Sequence, residues 1–158
     1  MSNKPSVYLC GPIRGIEDYD WRLTFVEKYG EDFRCLIPAD IGVSDTSNLI
    51  KFKPSSYMTY RTDLHLIDMS DIIIANLLPL DTGYRGAGSL IEIGYAIAKK
   101  KLILMVASEQ TRKHPFISFG ADGVFGSFEE LHGYLSPYLS VLSGDASQLK
   151  TLLYKKEK

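Results

Sequence analysis

Two short runs constrain the fold of this chain more than any other feature. "IIIANL", Ile72 to Leu77, and "KLILMV", Lys101 to Val106, are almost wholly apolar. Neither alternates apolar with polar residues, so neither suits a strand with one face in water. Unbroken runs of this length suit central strands of a parallel sheet, buried on both faces. Parallel neighbours need a crossover, usually a helix, and the sequence supplies the segments for it.

Ser6 to Cys10 is a short β-rich run stopped by Gly11 and Pro12. Trp21 to Tyr29 places Trp21, Phe25 and Val26 at helical spacing. "FRCLIP" reads as a second short strand ended by Pro38, and Ala39 to Pro54 as irregular chain. Tyr57 to Met69 carries an apolar stripe of Tyr57, Tyr60, Leu64 and Ile67. Pro79 to Gly88 is a loop with three glycines, and Ser89 to Lys100 a helix. "ASEQTRKHP" reads as a polar loop, "DGVF" as a short fifth strand and Ser127 to Leu139 as the last helix.

This alternation predicts an α/β protein: a three-layer Rossmann/flavodoxin-like fold with a mainly parallel five-stranded sheet. One domain is expected over residues 1–142, followed by a polar tail over 143–158. In such sheets ligands bind beyond the carboxyl ends of the strands. The loops Gly11 to Tyr19, Pro79 to Gly88 and Ala107 to His114 are expected to meet there.

Composition narrows the partners. A net charge of −1 over 158 residues gives no electrostatic basis for binding a nucleic acid polymer or a membrane surface. Cys10 and Cys35 lie in apolar runs without metal or redox spacing, which suits buried thiols in a reducing compartment. The N-terminus has no apolar leader core, and no run approaches the ~18 residues of a membrane span. The expectation is a cytoplasmic enzyme or binding domain. His65 and His132 fall on helices without companion ligands, so no metal site is expected.

"GSLIEIGYA", Gly88 to Ala96, sets one carboxylate, Glu92, after a glycine-rich turn, "TGYRGAG". Ser89 and Glu92 match the spacing of a capping box, in which each side chain satisfies the other's backbone amide. Ser127 and Glu130 repeat that spacing before the last helix, so the pattern alone does not mark a site. Position adds to it. Glu92 follows the most apolar strand, where glycines let backbone approach a ligand closely, and a helix N-terminus favours an ionised carboxylate. Such a group suits covalent attack on a sugar carbon. It equally suits a metal or hydroxyl ligand, and the residues by themselves leave these roles open.

Three stretches together resemble the nucleoside 2-deoxyribosyltransferase family and its relatives, the 2'-deoxynucleoside 5'-monophosphate N-hydrolases. They are "VYLCGPIRG" (Val7 to Gly15), "DLHLIDMSDIIIANL" (Asp63 to Leu77) and "GSLIEIGYAIAKKKLILMV" (Gly88 to Val106). The last, similar to a G-[ST]-x-x-E-[ILV]-G-Y-A segment, is the most specific. The resemblance runs from Val7 to about Leu139.

The resemblance implies cleavage of the N-glycosidic bond of 2'-deoxynucleosides or their 5'-monophosphates, with retention and with no cofactor. Glu92 is then the nucleophile, forming a deoxyribosyl-enzyme intermediate. Tyr8 positions Glu92, and Asp63 serves the leaving base as acid or hydrogen-bond donor. Gly11, Arg14 and Gly15 form a turn for the 5' end, Arg14 offering a planar donor fork to a phosphate. Gly88 and Ser89 also border the substrate. His114 matches a polar residue that reaches the sugar of a neighbouring subunit, which implies a homo-oligomer, dimer or higher, with a shared site. Asp68 and Asp71 are expected to be helix-end and strand-start residues.

The chain departs from the family pattern in two places. Many transferases carry an acid where this chain has Gly86, and the nearest upstream acid is Asp81. The family's C-terminal carboxylate role is not carried over, because a polar tail follows the last helix. A transferase passes the sugar to another base and a hydrolase passes it to water. A non-catalytic nucleotide-binding or sensing domain is the rival from another class.

Overall fold

The computed structural model describes residues 4–13, 20–38, 56–82 and 86–142. Five strands, β1 (Ser6–Cys10), β2 (Arg34–Leu36), β3 (Ile72–Asn76), β4 (Leu102–Val106) and β5 (Gly123–Phe125), form one sheet. The order is β2-β1-β3-β4-β5 and every pairing is parallel. This is the flavodoxin-like order, whose direction of winding reverses between β1 and β3. The helices are α1 (Asp20–Tyr29), α2 (Ser56–Met69), α3 (Ala87–Ala98), α4 (Glu109–Arg112), α5 (Pro115–Ser118) and α6 (Phe128–Leu142), with a 3-10 turn at Leu78–Thr82.

Successive strand residues face opposite sides of the sheet. Val7, Leu9, Ile72 and Ile74 pack with Phe25 and Tyr29 of α1 and with Leu131 and Leu135 of α6. Tyr8, Cys10, Ile73 and Ala75 pack with Ile67 of α2 and with Ile93 and Ala96 of α3. The central strands β1 and β3 are buried along their whole length, as their apolar runs require.

Most element ends shift from the sequence expectation by one to three residues, α6 running on to Leu142 and α3 stopping at Ala98, and three differences bear on the site. Helix α3 begins at Ala87 rather than Ser89, because Gly86 takes a left-handed conformation (φ 51°, ψ 24°) and starts it. The expected loop after β4 folds into α4 and α5, where the Ser108 hydroxyl accepts from the Thr111 amide and Pro115 opens the second turn. Part of the expected loop before α3 is the 3-10 turn. Helices this short give no periodic apolar signal.

Asp68 accepts from the Tyr95 hydroxyl at 3.0 Å and pairs with Lys99, tying α2 to α3. Asp71 accepts from the Ser6 amide at 2.7 Å and fixes the start of β1 against β3. Both are structural, as expected. Among the described residues no helix is long and apolar enough to cross a membrane.

Candidate active site

The site lies where the fold places ligands, at the carboxyl end of β1 beside the switch to β3. Tyr8 and Cys10 are two residues apart on β1, so both project towards α2 and α3. Asp63 comes from α2 and Glu92 from α3. Each of these side chains perturbs another's ionisation, which shows how closely they gather.

Glu92 is half-buried and keeps some contact with solvent. Burial raises its pKa, while the hydrogen bond from Cys10, the nearby Tyr8 hydroxyl and the charge of Arg22 hold it down. The Cys10 thiol lies 3.1 Å from Glu92 Oε2. The Tyr8 hydroxyl faces Glu92 but makes no hydrogen bond of full geometry. Asp63 is buried, and its Oδ1 has no partner among the described residues. Burial, and then the charge of Glu92, push Asp63 up to about 7, against the pull of Arg22. Two polar atoms without a full hydrogen bond among the described residues, beside one partly solvated carboxylate, are costly in a core.

Glu92 is not a helix cap. It is the sixth residue of α3, beyond the first turn, and the cap position belongs to Gly86, which makes no side-chain cap bond. The expected Ser89–Glu92 capping box is therefore absent, as is the close helix-end charge effect, which fades within one turn. Ser89 is buried, and its carbonyl lies 3.7 Å from the Cys10 sulfur. The similar Ser127–Glu130 pair does cap its helix: Ser127 Oγ accepts from the Glu130 amide at 3.2 Å, and Glu130 accepts from the Gly126 amide at 2.6 Å.

Arg22 escaped the sequence reading. It is fully buried, donates from Nε to the Leu9 carbonyl at 3.0 Å and from Nη2 to the Gly11 carbonyl at 2.7 Å, and packs on the Trp21 ring. It supplies positive charge to Glu92, Asp63 and Cys10. Its spacing from Trp21 and Phe25 reads as a polar helix face, and only the close approach of Gly11 gives it room. A Cβ at Gly11 meets Arg22 Nη2 and the Asn76 carbonyl, each at 3.2 Å. Gly88 is exposed, with nothing near its missing side chain.

Arg14 and Gly15 lie outside the described residues. Asp81 belongs to the 3-10 turn, but its side chain is outside the described parts. His114 is exposed and stands apart from Glu92 in its own chain. It lines an apolar cleft of about 640 Å³ with Leu90, Ile93, Gly94 and Ile97, on a different stripe of α3 from Glu92. No group of three or more metal-ligating side chains occurs among the described residues.

The sequence model described as nucleoside 2-deoxyribosyltransferase matches residues 7–135. The chain belongs to the nucleoside 2-deoxyribosyltransferase family. Among solved structures, the fold is shared with the 2-deoxyribosyltransferase of Bacillus psychrosaccharolyticus, at a TM-score of 0.65 and 14% identity, over 85% of this chain and 95% of that one. A conserved protein from Enterococcus faecalis V583 superposes at 0.61 with 18% identity, over 88% and 97%. The 2-desoxiribosyltransferase of Leishmania mexicana gives 0.52 and 21%, over 89% and 99%. No curated protein matches the sequence. Family membership makes this an enzyme that acts on nucleosides.

Proposed function

We propose that this protein breaks and remakes the N-glycosidic bond of 2'-deoxynucleosides, or of their 5'-monophosphates, through a covalent intermediate on Glu92. One Glu92 oxygen attacks C1' of the bound sugar. The C1'–N bond breaks, its electron pair leaves with the base, and the Asp63 proton neutralises the departing nitrogen. In the second step an acceptor displaces Glu92 from C1' and gives its proton to Asp63. Two inversions give net retention.

The observation that carries this reading is the pairing of Asp63 and Glu92 in one desolvated space. Asp63, pushed up to about 7, keeps a share of its proton near neutrality, while the Cys10 donor and the charge of Arg22 favour the ionised form of Glu92 against its burial. One protonated carboxyl beside one charged carboxylate is what acid catalysis and nucleophilic attack together require. The Tyr8 hydroxyl completes the set, as an orphaned donor ready for Glu92 or substrate. In the same proposal Gly11, Arg14, Gly15, Gly88 and Ser89 hold the 5' end and Asp81 lies towards the base.

We also propose self-association through the outer stripe of α3 and α5. Phe116, 81% exposed, lines the apolar cleft with the half-exposed Leu90 and Ile97, and Phe119, just past α5, is 89% exposed, apolar surface of the kind that marks an association face. His114, on that face, then reaches a neighbouring subunit's substrate. Sedimentation of the purified protein tests this part, and a monomer at micromolar concentration counts against it.

The deciding experiment incubates the protein with deoxynucleosides and with their monophosphates, with and without an acceptor base, and follows the bases by chromatography. Base exchange that needs an acceptor identifies a transferase. Free base from monophosphates alone identifies a hydrolase. Ligand binding without turnover identifies a sensor and defeats the enzymatic proposal.

A further inference from the structure

Glu92 has a close hydrogen-bond donor in the thiol of Cys10. Cys10 is the last residue of β1, fully buried, and its sulfur lies 3.1 Å from Glu92 Oε2. The other acceptor in reach, the Ser89 carbonyl, is farther, at 3.7 Å. A thiol has one proton to give, and the shorter contact takes it. Tyr8, the other β1 side chain on this face, makes no hydrogen bond of full geometry to Glu92.

We propose that Cys10 is a positioning residue for Glu92: its S–H donates to Oε2, fixes the rotation of the carboxylate and leaves Oε1 as the attacking oxygen. The inference rests on Glu92 being the nucleophile. Both the burial of Cys10 and the adjacent Glu92 charge keep the thiol protonated, so it acts as a donor and not as a rival nucleophile. The rigid β1 backbone holds it in place, and its short side chain has one rotatable bond to the sulfur. The groups that face Glu92 are Cys10 and Tyr8 from β1, Asp63 from α2 and Arg22 from α1. Of these, Cys10 makes the direct contact to a carboxylate oxygen.

The test compares Cys10→Ala, Cys10→Ser and Glu92→Gln in steady-state turnover across pH. Losing one donor to a charged acceptor is expected to lower kcat about tenfold and leave KM within about twofold. The acid limb of kcat is expected to move up by about one pH unit in Cys10→Ala, because the ionised form has lost a donor. Cys10→Ser keeps a donor and is expected to return the limb most of the way. An unchanged limb and kcat in Cys10→Ala, or a serine variant as impaired as the alanine one, overturns the proposal.

Infrared spectroscopy gives a second readout that needs neither turnover nor a folded Cys10 variant. In a Cys35→Ser background one thiol remains. Its S–H stretch is expected below that of an unbonded thiol and is expected to rise on Glu92→Ala. A band indifferent to Glu92→Ala overturns the positioning role. Retained activity in Glu92→Gln defeats the nucleophile assignment instead, so the two failures are distinct.

Discussion

Glu92 raises the pKa of Asp63. Burial is the larger cause and the neighbouring carboxylate the second, and together they carry Asp63 up to about 7 from 3.8. A carboxyl raised in the folded state holds its proton where the unfolded chain has lost it. Between about pH 4 and pH 7 the folded protein therefore binds more protons, and its stability falls as pH rises. Asp63→Asn removes the Asp63 share of this dependence. Its melting temperature is expected to exceed that of the parent by a few degrees at pH 8 and to match it near pH 4. Turnover by the parent is expected to decline above about pH 7 as Asp63 ionises, and Asp63→Asn is expected to lose most activity at every pH. A parent whose stability rises steadily from pH 4 to 8, with no gain from Asp63→Asn, speaks against the shifted carboxyl.

The two Ser-x-x-Glu pairs make opposite predictions. Glu130 satisfies the Gly126 amide at a helix start, so Glu130→Ala is expected to cost about 1 kcal/mol of stability and no activity. Glu92 caps nothing and is desolvated in the fold. Glu92→Gln is expected to leave stability unchanged or improved, while turnover falls about 10³-fold or more. Urea unfolding beside chromatographic assay separates the cases. A Glu92→Gln protein that is destabilised yet active reverses the assignment.

The difference between those pairs also shows what the sequence made legible. The strands were readable because β3 and β4 are buried on both faces and say so in every residue. Glu92, Tyr8 and Asp63 were singled out by resemblance, and what the fold shows of them is that three elements bring them together. The start of α3 was not, because it depends on the backbone of Gly86, and φ leaves no mark on composition. Arg22 was not, because a lone arginine on a helix normally faces water. Its burial is a tertiary fact, created by the Leu9 and Gly11 carbonyls at the end of β1. Of the two thiols expected to be buried, Cys10 is and Cys35 is only half-buried, and the contact of Cys10 with Glu92 joins residues 82 positions apart.

Gly86 is a glycine by necessity. Its φ of 51° is the left-handed conformation, and an added Cβ runs into the Leu80 side chain. Gly86→Ala is expected to cost about 1–2 kcal/mol from the backbone alone, more if Leu80 cannot move. Gly86→Asp is expected to destabilise α3 without changing base preference. Denaturant titration and an acceptor-base panel check both statements, and a Gly86→Asp protein with parental stability and a new base preference contradicts them.

Arg22 ties two buried carbonyls to the ionisation of the carboxyl pair. Its guanidinium satisfies two buried carbonyls, those of Leu9 and Gly11, and its charge opposes the upward shifts of Asp63 and Glu92. Arg22→Met preserves bulk but orphans both carbonyls, at a cost of roughly 3 kcal/mol. With the positive charge gone, both carboxyl groups ionise at higher pH, so both limbs of the pH–rate profile are expected to move up. Arg22→Lys keeps a charge but not the planar fork. It is expected to restore the pH limbs more completely than the stability. If Arg22→Met shifts stability alone and leaves the profile in place, the arginine is a structural clamp and its charge does not reach the carboxylates.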